Sequence, residues 1–196
     1  MSEIRRLAVF CGSNPGARPE YVQAARSLGR LLASRGVGIV YGGSNVGLMQ
    51  ALADSMLDEL GDIIGVIPRM LVEREVANKA LTDLRIVDSM HERKALMAEL
   101  ADGFVALPGG IGTLEEFFEI WTWAQLGMHR KPIAFLDVGG YYQLLAEFLD
   151  QATREGFVRR QHRAIAIIDS DPAVLIDKMR AYNPPTVEKW IDREGT

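Results

Sequence analysis

The chain has 196 residues, 48% of them apolar and 24% charged, with a formal net charge of −4. That balance describes one folded domain with a sizeable core and excludes a basic nucleic-acid surface or an anionic-membrane surface. A single cysteine, Cys11, excludes an intramolecular disulfide. No apolar run approaches the roughly 18 residues of a membrane span, and Met1–Arg6 carries no signal-peptide core, so a cytoplasmic domain over residues 1–196 is expected.

The first strand is expected over Leu7–Cys11, then a loop Gly12-Ser13-Asn14-Pro15-Gly16 and a helix Glu20–Arg35. A strand Val37–Tyr41 leads through Gly42-Gly43-Ser44-Asn45-Val46-Gly47 into a helix Leu48–Leu60. Strands Ile63–Ile67 and Leu84–Val87 follow, then a helix His91–Ala101 that opens on Ser89-Met90-His91-Glu92-Arg93-Lys94. Strand Phe104–Leu107 runs through Pro108-Gly109-Gly110-Ile111-Gly112 into a helix Leu114–Leu126. Strands Ile133–Leu136 and Ala164–Ile168 alternate with helices Tyr141–Glu155 and Pro172–Ala181, and a tail Asn183–Thr196 with Trp190 packs on the body or on a partner.

The strands are mostly continuous apolar runs, the pattern of strands covered on both faces. Strand–helix alternation with short loops predicts a doubly wound α/β fold with a mostly parallel sheet and helices on both faces. Ligands in such sheets bind at the carboxyl ends of the strands. Three glycine loops and the segment holding Arg93 and Lys94 converge on that edge.

The Pro108–Glu116 run carries the most information. Three glycines in four residues admit close backbone approach to a ligand, and a strand–loop–helix junction offers free N–H groups and the positive end of a helix dipole to an anion. Glu115 and Glu116, expected in the first helical turn, repel a phosphate and so point to chemistry on the sugar of a bound nucleotide. A purely structural reading makes Thr113 and Glu116 a capping box. It leaves the three glycines unexplained.

The Gly42–Gly47 loop reads G-G-x-x-x-G, with no acidic residue closing the next strand, which argues against NAD; no G-K-[ST] loop occurs either. Arg93 and Lys94 are expected in a first helical turn, where the dipole disfavours cations. An arginine there suits a phosphate, a ribose or Glu116. His91, His129 and His162 lack ligand spacing and read as surface or loop residues, so no metal site is expected. Cys11 reads as a small core residue, and no Gly-x-Ser-x-Gly elbow appears. Helix Leu114–Leu126 is apolar around its whole circumference, which predicts burial on all sides and a homodimer with this helix near the interface.

The segments Pro108–Glu116, Met90-His91-Glu92-Arg93-Lys94-Ala95 and Tyr41-Gly42-Gly43 with Gly47-Leu48-Met49 together resemble the LOG (Lonely Guy) family. Phe10-Cys11-Gly12-Ser13, Trp123-Ala124-Gln125-Leu126-Gly127 and Lys131-Pro132 extend the resemblance over about Leu7 to Phe157. Members of that family, many once labelled lysine decarboxylases, are cytokinin riboside 5′-monophosphate phosphoribohydrolases. The resemblance implies a Rossmann-like homodimer that needs no cofactor and cleaves a nucleoside 5′-monophosphate, a cytokinin nucleotide or AMP, into free base and ribose 5-phosphate. It implies catalytic roles for Arg93 and Glu116. It also implies substrate contacts at Glu75, Arg93, Lys94, Gly109, Gly110, Ile111, Gly112, Thr113, Leu114, Glu115 and Thr122. Ser44 and Gln50 stand where the family commonly has glycine, and Ser44 is expected to narrow the pocket.

Glu116 would stabilise positive charge on the ribose or activate water, as carboxylates do in O-glycoside hydrolysis. Arg93 would keep Glu116 ionised. Glu115 would grip ribose hydroxyls, and the loop N–H groups would hold the phosphate. The alternative reading is a non-catalytic nucleotide or molybdenum-cofactor carrier. A pyridoxal-dependent decarboxylase needs a Schiff-base lysine, and neither Lys94 nor Lys131 has a recognisable context for one.

Overall fold

A computed structural model describes residues 3–74 and 76–185. Seven strands form one sheet: β1 (Arg6–Phe10), β2 (Gly38–Tyr41), β3 (Ile63–Pro68), β4 (Leu84–Val87), β5 (Gly103–Ala106), β6 (Ile133–Leu136) and β7 (Ala166–Asp169). Their order is β4-β3-β2-β1-β5-β6-β7, and every pairing is parallel. The chain winds outward from β1 to β4, returns to lay β5 beside β1, and winds outward again. The reversal lies between β1 and β5, where Val9 pairs with Val105 and Phe10 with Ala106. A crevice opens above the carboxyl ends of strands at such a reversal.

Among the described residues, eight α-helices accompany the sheet: α1 (Pro19–Ser34), α2 (Gly47–Asp58), α3 (Arg69–Val72), α4 (Met90–Leu100), α5 (Ile111–Gln125), α6 (Gln143–Arg154), α7 (Arg160–Arg163) and α8 (Pro172–Arg180). Alternate β1 residues serve opposite cores. Leu7 and Val9 pack with Leu28, Leu52 and Ile176 from α1, α2 and α8. Ala8 and Phe10 pack with Met97, Phe117 and Leu149 from α4, α5 and α6. The α1–α2 contact is close because Gly29 has no Cβ to collide with the Ser55 hydroxyl.

The doubly wound prediction holds, with local differences. Cys11 lies just past β1, and the last strand starts at Ala166 because Arg160–Arg163 forms a short helix before it. The helix expected from Tyr141 begins at Gln143, after a single 3-10 turn at Val138–Gly140 that contains Gly139 at φ +59°. The tail beyond Pro185, with Trp190, lies outside the described residues.

Helix α5 departs most from expectation. Its N-cap is Gly110, so Ile111, Gly112 and Thr113 form its first turn. Thr113 therefore sits inside the helix, the capping box is absent, and Glu115 and Glu116 fall beyond the first turn. Nor is the helix buried all round. Thr113, Glu116, Phe117, Ile120, Trp121 and Ala124 face inward, whereas Ile111, Glu115, Thr122 and Gln125 are exposed and Leu114, Phe118 and Trp123 are half-buried. The aromatic excess on this helix partly serves its own cluster, with Phe118 stacked on Trp121 at 5.7 Å.

Candidate active site

Two helix N-termini frame the crevice beside β1. Helix α4 starts at Ser89, whose hydroxyl accepts from the Glu92 N–H at 3.1 Å, while the Glu92 carboxylate accepts from the Asp88 N–H at 2.9 Å. This reciprocal cap fixes the first turn, so Arg93 and Lys94 project from the second turn and not from the first as expected. The dipole penalty foreseen for them is correspondingly smaller. Helix α5 starts at Gly110 with no side-chain cap. As in any helix, the N–H groups of its first turn have no intrahelical partner.

A cavity of about 250 Å³ lies between these termini, lined among others by Cys11, Ser13, Gly42, Met49, Met90, Arg93, Gly110, Ile111, Gly112, Thr113 and Glu116. Arg93 and Glu116 meet within it at 3.4 Å, Nη1 to Oε1. Their residues are only 7% and 8% exposed, so this is a desolvated pair. The Arg93 Nη1 also donates to Met90 Sδ at 3.7 Å, and its Nε is buried with no partner among the described residues. A Cβ at position 42 would overlap the Arg93 guanidinium, which explains the glycine that follows β2.

The glycines of the Pro108 loop divide into two kinds. A Cβ on Gly109 would strike the Thr113 side chain, so the fold itself requires that glycine. A Cβ on Gly110 or Gly112 would meet no protein atom within 4 Å. Nothing among the described residues demands those two glycines, which face open space.

Burial raises the Glu116 carboxyl above the usual carboxylate range, and the Arg93 charge offsets this only in part. Arg93 acts on Glu116 in the expected direction, favouring the ionised form, but desolvation is the larger influence. A carboxyl raised in this way is a candidate for proton transfer. Burial and the neighbouring Glu116 push the Cys11 thiol up, keeping it protonated and inert.

Lys94 turns away from this cavity. Its ammonium pairs with Glu115 and, at 2.6 Å, with Glu119, and its side chain is 4% exposed. Burial works against its charge, but the hydrogen bonds to Glu115 and Glu119 outweigh that and raise its pKa. Glu115 is correspondingly engaged with Lys94. Leu114 is half-buried against the core. Thr122 lies further along α5, exposed, with its hydroxyl donating to the Phe118 carbonyl. Glu75 lies outside the described residues. The structure therefore brings together Arg93, Glu116, Gly110, Ile111, Gly112 and Thr113. It does not bring Lys94, Leu114, Glu115 or Thr122 to the cavity wall, and Gly109 faces a neighbouring cavity.

Ser44 does not narrow the site. It is buried in an isolated antiparallel bridge to Ala77. Cys11, Ser13, Gly42, Met49 and Met90 line the cavity without having been assigned to it from sequence. Ser13 and Gly42 had a legible signal, as members of glycine loops that follow strands at this edge. His162 is buried, contrary to its reading as a surface residue, and its carbonyl accepts from the Trp121 indole N–H at 3.0 Å. Among the described residues, no group of three His, Cys, Asp or Glu is placed to hold a metal.

The fold and this site define a Rossmann-type, doubly wound protein carrying a buried guanidinium–carboxylate pair beside a helix N-terminus. A family model described as "Possible lysine decarboxylase" matches residues 49–179. The chain is 47% identical over 183 residues to "Probable cytokinin riboside 5′-monophosphate phosphoribohydrolase LOGL9" of Oryza sativa subsp. japonica, covering 93% of this chain and 81% of that protein. It is 44% identical to "Cytokinin riboside 5′-monophosphate phosphoribohydrolase LOG3" of Arabidopsis thaliana, covering 93% and 85%. The chain belongs to this LOG family. In structure it is similar to a molybdenum cofactor binding protein from Rippkaea orientalis, with a TM-score of 0.68 at 21% identity over 92% of this chain and 98% of that one. At that identity the likeness extends to the fold.

Proposed function

We propose that this protein hydrolyses the N-glycosidic bond of nucleoside 5′-monophosphates, releasing free base and ribose 5-phosphate. The observation that carries the reading is the Arg93–Glu116 pair, 3.4 Å apart and desolvated, beside the uncapped N-terminus of α5. The names of the relatives support it, since they are called phosphoribohydrolases of cytokinin riboside 5′-monophosphates.

The phosphate binds at the N–H groups of Gly110, Gly112 and Thr113, with the dipole of α5 behind them. That remote grip positions the sugar, and its binding energy is used at the reacting carbon. Glu116 faces the anomeric carbon, stabilising its growing positive charge or taking a proton from the attacking water. Arg93 orients Glu116 and the ribose hydroxyls or phosphate. The thioethers of Met49 and Met90 give the cavity a soft apolar wall that suits a base. The reaction requires no metal or organic cofactor. A decarboxylase reading finds no support, because Lys94 is held by Glu115 and Glu119 and Lys131 donates to the Ala98 carbonyl at 2.7 Å.

The protein works as a cytoplasmic homodimer in this reading. Support comes from α5, where Ile111 is exposed, Phe118 and Trp123 are half-buried, and Leu126 and Met128 are exposed just beyond its end. Sedimentation at micromolar concentration tests the dimer. Incubation with AMP or isopentenyladenosine 5′-monophosphate, followed by chromatography for ribose 5-phosphate, tests the activity. Stoichiometric ribose 5-phosphate is expected. Phosphate release with intact nucleoside would contradict the reading.

A further inference from the structure

The four carbonyl oxygens from Leu107 to Gly110 are all tied within the chain. The Tyr142 hydroxyl donates to Leu107 O at 2.6 Å, the Gly12 N–H to Pro108 O at 3.0 Å, the Tyr141 hydroxyl to Gly109 O at 2.7 Å, and the Leu114 N–H to Gly110 O at 3.2 Å. Two of these ties come from one dipeptide that follows β6 and has no part in the site described above.

A trans peptide unit is planar, so its C=O and N–H point in opposite directions. Holding the Gly109 carbonyl therefore aims the Gly110 N–H the other way. The two residues behave accordingly: Gly109 lines a neighbouring cavity together with Tyr141, while Gly110 also lines the Arg93–Glu116 cavity. Both flanking residues are glycines, so sterics alone would not stop this peptide from flipping. A flip would turn a carbonyl oxygen toward the bound anion and withdraw a donor from it.

We infer that Tyr141 is a positioning residue, whose hydroxyl locks the Gly109–Gly110 peptide so that the loop presents donors to the substrate phosphate. The inference rests on the reading that the phosphate occupies this loop. Tyr142 is buried against Phe135, ring centroids 4.4 Å apart, and belongs to the core. Tyr141 is 42% exposed, so its hydroxyl can be removed without opening the core.

The test is Tyr141→Phe, which deletes one hydroxyl and keeps the ring. Calorimetric titration of wild type and variant with ribose 5-phosphate, and separately with adenine, needs no turnover. Affinity for ribose 5-phosphate is expected to fall about three- to tenfold, the scale of one hydrogen bond, with adenine affinity unchanged. With AMP as substrate, KM is expected to rise by the same factor while kcat stays within about twofold. Unchanged ribose 5-phosphate affinity would overturn the inference. So would equal losses for ribose 5-phosphate and adenine, which a merely structural role would give. Absence of turnover in the wild type, with the titrations as expected, would remove the proposed reaction and leave the role of Tyr141 standing.

Discussion

Arg93 and Glu116 face each other across the seam between α4 and α5, 3.4 Å apart and each more than nine-tenths buried. A buried pair of this kind gains little net stability over an apolar one. Its arrangement makes sense as chemistry: a carboxylate raised by desolvation, a guanidinium with a spare donor, and a helix terminus beside them.

Replacing Glu116 with Gln keeps the side chain's shape and removes its charge. The expected result is a fall in kcat of about 100- to 10,000-fold, the usual scale for a general acid–base group. Steady-state rates of base release check this, with circular dichroism confirming an intact fold. Near-full turnover would remove Glu116 from the chemistry.

The pH dependence follows from the same residue. Burial raises the Glu116 carboxyl, with the Arg93 charge pulling partly the other way. If Glu116 acts ionised, activity rises as pH climbs through its pKa, so the acidic limb of kcat/KM lies above the usual carboxylate range. Arg93→Gln removes the lowering influence, and the limb of the residual activity should move to higher pH. A limb that stays in place would show that Arg93 does not act on Glu116.

The loop glycines separate folding from binding. Gly112→Ala adds a methyl group to empty space within the first turn of α5. It should leave stability unchanged or raise it by about 0.5–1 kcal/mol, while weakening binding of AMP and ribose 5-phosphate at least tenfold. Gly109→Ala strikes Thr113 and should destabilise the fold. Urea denaturation and calorimetric titration of both variants check the contrast.

Lys94 offers a different test. Its ion pairs with Glu115 and Glu119 join α4 to α5. Lys94→Met should cost about 1–3 kcal/mol, below the usual cost of breaking a fully buried pair because Glu115 is half exposed. Urea denaturation measures this. A direct substrate contact predicts the opposite pattern, with lost affinity at unchanged stability.

Much of this was legible in the sequence. Apolar runs such as Phe104–Leu107 announce buried parallel strands, and the convergence of glycine loops marks the edge where the cavity with Arg93 and Glu116 lies. The sequence offers Arg93 a phosphate, a ribose or Glu116 as partner, and in the fold it lies 3.4 Å from Glu116. Legibility failed where one signal served two purposes. Thr113 and Glu116 fit a capping box by spacing, yet Gly110 caps α5 and frees Glu116 for Arg93. The aromatics of α5 suggested all-round burial, but Phe118 and Trp121 partly satisfy each other by stacking. Lys94 adjoins Arg93 in sequence, and only the direction in which each leaves α4 sends one to the cavity and the other to Glu115. The hydroxyls of Tyr141 and Tyr142 reach carbonyls about 30 residues earlier, which no local pattern encodes.

The central claim is tested most directly by chromatography of released base. Wild type and Glu116→Gln are incubated separately with AMP and with isopentenyladenosine 5′-monophosphate. Release of adenine or isopentenyladenine by the wild type, lost in the variant, is the predicted result, and the ratio of the two rates ranks the bases. No release of either base by a wild type that still binds both nucleotides would contradict the account and leave a nucleotide-binding protein without this activity.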